Sequence, residues 1–180
     1  AALLNGMTMR CTEPNRVFEL GYRSRELDLA LRVEGVVKPL VSRGTPPFNK
    51  GHIDQICRVT GEMTLHGETI PVDCFAMRDR SWGLREDGRQ PQVGYSDATQ
   101  DADNAWLAVT IGKDLDYRVS TGFMIRDGEW AELVEGHRDV RRDEQGRPLS
   151  FTIEATDRLG RSLEAEGKVH RRHVFSGYPS

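Results

Sequence analysis

The chain has 180 residues, with 25 basic and 28 acidic side chains and a formal charge of −3. That length suffices for one domain with a full core, or for one domain plus part of another. The near balance of charge points away from nucleic acid and from membrane surfaces, and no apolar run approaches the ~20 residues of a spanning helix.

In chain order, the first clear element lies around residue 30. Leu27, Leu29, Leu31 and Val33 alternate with Asp28, Ala30, Arg32 and Glu34, the period of two that marks a strand. Residues 39–50, with Gly44, Pro46 and Pro47, read as a linker or crossover. They set an expected boundary near residue 50, between residues 1–50 (terminal strands of one β domain plus linker) and residues 51–180 (a second β domain). From residue 52, Ile53, Gln55, Cys57 and Val59 fall on one strand face, and His52, Asp54, Ile56 and Arg58 on the other. His66-Gly67-Glu68 reverses the chain, and Ile70, Val72, Cys74 and Ala76 return it, opposed by Asp73, Phe75 and Met77. The return strand ends in Arg78-Asp79-Arg80-Ser81-Trp82-Gly83-Leu84-Arg85, a density of polar groups that a strand does not need. Residues 83–104 are long and polar, as in a lid or a rim over a cavity.

Beyond them the same pattern repeats. Strands are expected at 105–111, 117–125 and 129–135, in a polar stretch to Arg142, at 149–155 and at 161–169. Gly-containing turns separate them, Asp127-Gly128 being the strongest hairpin signal. No amphipathic helix is evident. The expected fold class is all-β, an antiparallel meander closed as a barrel or folded as a sandwich.

Two constellations could carry chemistry. In the first, Arg78, Arg80 and Trp82 project one way, and Asp79, Ser81 and Gly83 the other. Read structurally, Asp79 forms an ion pair between Arg78 and Arg85 while Trp82 plugs the core. Read functionally, the cluster holds an apolar molecule and offers it a few polar groups. In the second, His52 and Asp54 share a strand face as either an acid/base pair or a surface ion pair. Cys11, Cys57 and Cys74 form no CxxC and fit a reduced, cytoplasmic compartment. No zinc spacing, EF-hand loop, GxSxG elbow or nucleotide-binding glycine motif occurs. The sequence therefore calls for no metal and no cofactor. Arg141-Arg142 and His170-Arg171-Arg172-His173 read as solvated strand ends.

The order and separation of His52-Ile53-Asp54-Gln55, Arg58-Val59-Thr60-Gly61 and Arg78 to Arg85 resemble a two-domain, lipocalin-like superfamily. It includes the carotenoid 1,2-hydratases (hydroxyneurosporene synthases), AttH-like proteins and fungal Diels–Alderases, and the match is closest to a bacterial branch. The resemblance implies a calycin-like barrel for most of the chain after residue 50. It also implies a chain incomplete at both ends: the closing strands come from elsewhere, or they belong to ends absent from this sequence. The expected partners are accordingly a homo-oligomer or missing complementary strands. The implied ligand is a hydrophobic small molecule of isoprenoid, steroid-like or polyketide type. Trp82 would line its cavity, Arg78, Arg80, Arg85 and Trp106 would contact it, Asp79 and Arg85 would set the motif geometry, and His52 or Asp54 would supply a proton. A cofactor-free lyase, hydratase or isomerase is one expectation; a non-catalytic lipid carrier and a structural oligomerisation domain are the others. The hydratases carry His where Arg80 stands, and they place a Tyr and an acidic residue on a following strand. Residues 106–110 have neither, and an arginine cannot shuttle protons near neutral pH.

Overall fold

The computed structural model describes residues 3–42, 51–83, 92–113 and 116–172. Every regular element among them is a strand: β1 (Thr8–Glu13), β2 (Val17–Arg23), β3 (Leu27–Gly35), β4 (Leu40–Ser42), β5 (Gly51–Leu65), β6 (Glu68–Trp82), β7 (Gln92–Thr99), β8 (Ala105–Lys113), β9 (Asp116–Arg126), β10 (Glu129–Arg142), β11 (Pro148–Asp157) and β12 (Ser162–Lys168). The fold is the expected all-β antiparallel meander, with one sheet curled as a half-barrel of lipocalin-like kind.

The strands form two sheets. The first runs β1-β2-β3-β5-β6, with β4 also paired to β5; the second runs β12-β11-β10-β9-β8-β7. Apart from the tip of the β7–β8 hairpin, each sheet belongs to its own compact unit. This division differs from the boundary expected near residue 50. The β5–β6 hairpin hydrogen-bonds to β3 from Leu27↔Leu65 to Gly35↔Cys57, so it extends the sheet that β1–β3 begin. The polar stretch 83–104, expected to be a lid, is in good part strand: β7 occupies Gln92–Thr99 and pairs with β8.

In the first sheet, alternation fixes what each face carries. The rungs Met9–Leu20–Leu31–Gly61–Val72 and Cys11–Phe18–Val33–Val59–Cys74 lie on one face. The opposite face carries the rung Arg10–Glu19–Arg32–Thr60–Asp73 and ion pairs such as Arg10–Glu19 at 2.7 Å and Arg58–Asp73 at 2.9 Å. These pairs are exposed and contribute little individually. β4 continues the line of β3 along the same edge of β5. Four residues, 36–39, stand against Gln55 and Ile56, between the pairs Gly35↔Cys57 and Leu40↔Asp54.

The β5–β6 turn is of the two-residue type that matches strand twist, with positive φ at both His66 (51°) and Gly67 (87°). Asp127 (53°) and Gly128 (78°) repeat it between β9 and β10. β10 is one strand where two were expected. A bulge between Leu133 and Glu135, next to Gly136 at φ 154°, absorbs the change of character. The second sheet has its own core, in which Ala108, Met124, Leu133, Ile153, Ala155 and Leu163 pack together. Phe123, fully buried, stacks on Trp130 at 5.9 Å. Fully burying one such large side chain stabilises by about 1.5–3 kcal/mol.

Candidate functional site

The base of the β5–β6 hairpin holds most of the residues singled out from the sequence. Its register runs without a slip from Gly51↔Trp82 to Leu65↔Glu68, so the face of every side chain is settled. His52, Asp54, Asp79 and Ser81 share one face; Arg78, Arg80 and Trp82 share the other.

On the polar face, His52 Nε2 lies 2.9 Å from Asp54 Oδ2, and its Nδ1 lies 3.5 Å from Asp79 Oδ1. The side chains of His52 and Asp54 are 7% and 1% exposed, whereas that of Asp79 is 55% exposed. A carboxylate this deeply buried needs a donor close by. The short contact therefore assigns the proton to Nε2, which donates to Asp54 and leaves Nδ1 turned toward Asp79. The register also brings Ser81 and Ser42 beside His52, one from each neighbouring strand, and sets Leu40 beside Asp54. This is a buried carboxylate–imidazole pair with a surface carboxylate at its mouth, an arrangement able to pass a proton inward or outward. His52, Asp54 and Asp79 could also each offer one ligand atom to a cation, since those atoms lie within 4.8 Å of one another.

On the other face Arg78 is tied into the sheet. Its guanidinium sits 4.6 Å above the Phe18 ring, and its Nη1 donates to Gln55 Oε1 at 3.2 Å. Gln55 Nε2 in turn donates to the Val37 carbonyl at 3.0 Å, satisfying backbone where β3 gives way to β4. Gly35 makes room, because a Cβ there would collide with the Gln55 amide. Burial pulls the Arg78 guanidinium below its ordinary range, with Cys57 opposing and Arg80 adding to the shift. Burial likewise pushes the Cys57 thiol up, against the pull of Arg78. Farther out, Trp82 lies over Gly51, where a Cβ would meet the indole, and the Arg80 guanidinium sits 5.9 Å from the Trp82 ring.

The structural reading of the motif changes accordingly. Asp79 meets His52 rather than Arg78, which projects to the opposite face. Trp82 is 39% exposed and does not plug the core. Arg85 lies outside the described residues. Trp106 belongs to the second sheet, where it packs partly buried against the core cluster. An open groove of about 680 Å³ in the first unit, bordered by Met9, Arg10, Leu20, Leu31 and Gly61 among others, includes none of His52, Asp54, Asp79 or Trp82. The sequence reading missed a second polar cluster, Tyr117 with Arg138 and Arg142. Its only trace in the sequence is the dipeptide Arg141-Arg142, which reads as a solvated strand end.

A family model described as Domain of unknown function (DUF7064) matches residues 1–178. The chain belongs to this family. No curated protein and no solved structure matches it. Among the described residues no helix is long and apolar enough to cross a membrane, a statement that bears on helices alone.

Proposed function

We propose that the first sheet binds a hydrophobic small molecule along its apolar face, with Trp82 and the Arg78 and Arg80 guanidiniums at one end to meet a polar or anionic group. The observation that carries this reading is the in-register run of apolar rungs across five strands, bordered on the same face by Gln55–Arg78 and Ile53–Arg80 and then by the half-exposed indole of Trp82. A contiguous apolar surface that ends in an aromatic ring and a cation suits an amphipathic ligand. The resemblance to the carotenoid hydratase, AttH-like and Diels–Alderase superfamily supports the same ligand class.

Binding is favoured over hydratase chemistry. Arg80 stands where those enzymes carry His, and His52 with Asp54 projects from the opposite face of the hairpin. A lyase or isomerase reaction on the apolar face would need an acid there. Among the described residues near Trp82 on that face, the titratable groups are Arg78, Arg80 and Cys57.

Titration with 1-anilinonaphthalene-8-sulfonate and with N-phenyl-1-naphthylamine, its uncharged analogue, tests the reading. Trp82→Ala is expected to weaken both probes about tenfold, and Arg80→Gln to weaken the sulfonate alone. Unchanged affinity of Trp82→Ala for both probes would refute the proposal. Incubation with candidate terpenoids, followed by product analysis, separates an enzyme from a carrier.

A further inference from the structure

The second sheet holds a cluster that the reading above does not use. Gln92 on β7, Tyr117 on β9 and Arg138 and Arg142 on β10 border an open depression of about 510 Å³. The register sets Arg138 between Tyr117 and Ile153, so it shares a face with the buried core of this sheet. Its guanidinium lies 4.7 Å from the centre of the Tyr117 ring, and its Nε is buried and makes no hydrogen bond. Gly94 provides the space, since a Cβ there would collide with that guanidinium.

The surrounding groups are held in place. Arg142 donates from Nη1 to the Gly146 carbonyl at 2.9 Å and from Nη2 to the Tyr117 hydroxyl at 3.2 Å. The Tyr117 hydroxyl donates to Gln92 Oε1 at 2.5 Å. Among the described residues no carboxylate pairs with either arginine. The acids nearest in sequence are engaged elsewhere: Asp116 with Arg118 at 2.7 Å, Asp139 with His137 at 3.4 Å, and Asp143 with Arg147. Burial pulls the Arg138 guanidinium below its ordinary range, Tyr117 opposing and Arg142 reinforcing the shift, yet an arginine stays charged. Two neighbouring cations, one partly buried with an idle donor, lack the countercharge that such groups require.

We propose that this depression binds an oxyanion, a phosphate or carboxylate group, held by the forks of Arg138 and Arg142. Guanidinium donors match the spacing of such oxygens and can bond them in pairs. The anion is either free or the head group of an amphiphile. The site lies in the second unit and does not depend on the ligand assigned to the first.

Isothermal titration of the full chain with inorganic phosphate and with decyl phosphate, at fixed ionic strength in chloride, tests it. At least one probe is expected to bind at a saturable site. Arg138→Gln and Arg142→Gln are each expected to weaken that site tenfold or more. Arg118→Gln, which alters an exposed arginine, should leave it unchanged. Binding of both probes marks a site for free anions; binding of decyl phosphate alone, lost in Arg142→Gln, marks a head-group site. No saturable binding of either probe, or affinity retained within twofold in Arg142→Gln, overturns the proposal. Should Arg138→Gln fail to fold, Arg142→Gln decides the matter.

Discussion

Replacing Asp54 by alanine removes a carboxylate with 1% exposure and strands the His52 Nε2 donor 2.9 Å away. Losing a hydrogen bond to a charged group costs about 1.5–3 kcal/mol, and a buried donor left unmet adds about 1–3 kcal/mol. The sum, about 2.5–6 kcal/mol, brackets the usual cost of about 3–5 kcal/mol for removing one partner of a buried pair. Asp54→Asn keeps an acceptor oxygen of the same shape and should cost only about 1–2 kcal/mol. His52→Ala removes the other half of the contact. If the contact accounts for the cost, the double variant loses it once, and the cycle should return a coupling of about 2 kcal/mol. Urea unfolding of the four proteins measures it. Since His52 and Asp54 project away from Trp82, Asp54→Asn should leave anilinonaphthalene sulfonate affinity within twofold. A coupling below about 0.5 kcal/mol would refute the pairing, and loss of probe binding in Asp54→Asn would refute the separation of the two faces.

Gly51→Val should evict the Trp82 indole, destabilise by about 1–3 kcal/mol through overpacking, and weaken probe binding as Trp82→Ala does; a titration curve matching wild type contradicts this. Gly61→Ala combines a φ of 141° with a Cβ set against the Ala30 carbonyl oxygen and should cost about 1–3 kcal/mol in chemical denaturation. Burial raises the Asp157 carboxyl, but bonds from the Arg161 backbone and side chain and from the Leu159 backbone outweigh it and hold it below the ordinary carboxylate range. The folded state thus binds this proton less tightly than the unfolded chain, where aspartate titrates near ~3.9. The stabilisation is complete above that pH and is lost as pH falls through the folded value. Asp157→Asn should therefore flatten the decline of stability below about pH 4, and an unaltered acid profile would count against the network.

The alternation that sets strand faces was legible in the sequence wherever it was unbroken. Ile53, Gln55, Cys57 and Val59 do oppose His52, Asp54, Ile56 and Arg58, and His66-Gly67 and Asp127-Gly128 do turn the chain. Alternation was less informative where a strand adds or loses a residue. The bulge at Leu133/Glu135 made β10 read as two elements, and the polar residues of β7 read as loop because its partner β8 supplies the order. Partners across the sheet were illegible for a further reason. Asp79 has two arginines as sequence neighbours, Arg78 and Arg80, but adjacent residues in a strand face opposite ways. Its contact, His52, lies 27 residues away by number and is reached only through the register of the hairpin. Tyr117, Arg138 and Arg142 meet in the same manner across β9 and β10.

The same rule constrains what the hairpin can do. Bringing Trp82 and the His52–Asp54 pair to one ligand would require a one-residue slip somewhere between Gly51 and Asp54 or between Asp79 and Trp82. The register shows none: all fifteen residues of β5 pair in sequence with β6. A molecule on the apolar face therefore meets guanidinium and indole, groups that bind and orient but exchange no proton near neutral pH. The imidazole and its carboxylates serve whatever meets the other face, or they serve the hairpin itself by satisfying a buried charge where β4, β5 and β6 lie side by side. Arg80 fits that division, because a guanidinium brings no proton transfer to the face on which the apolar ligand would lie.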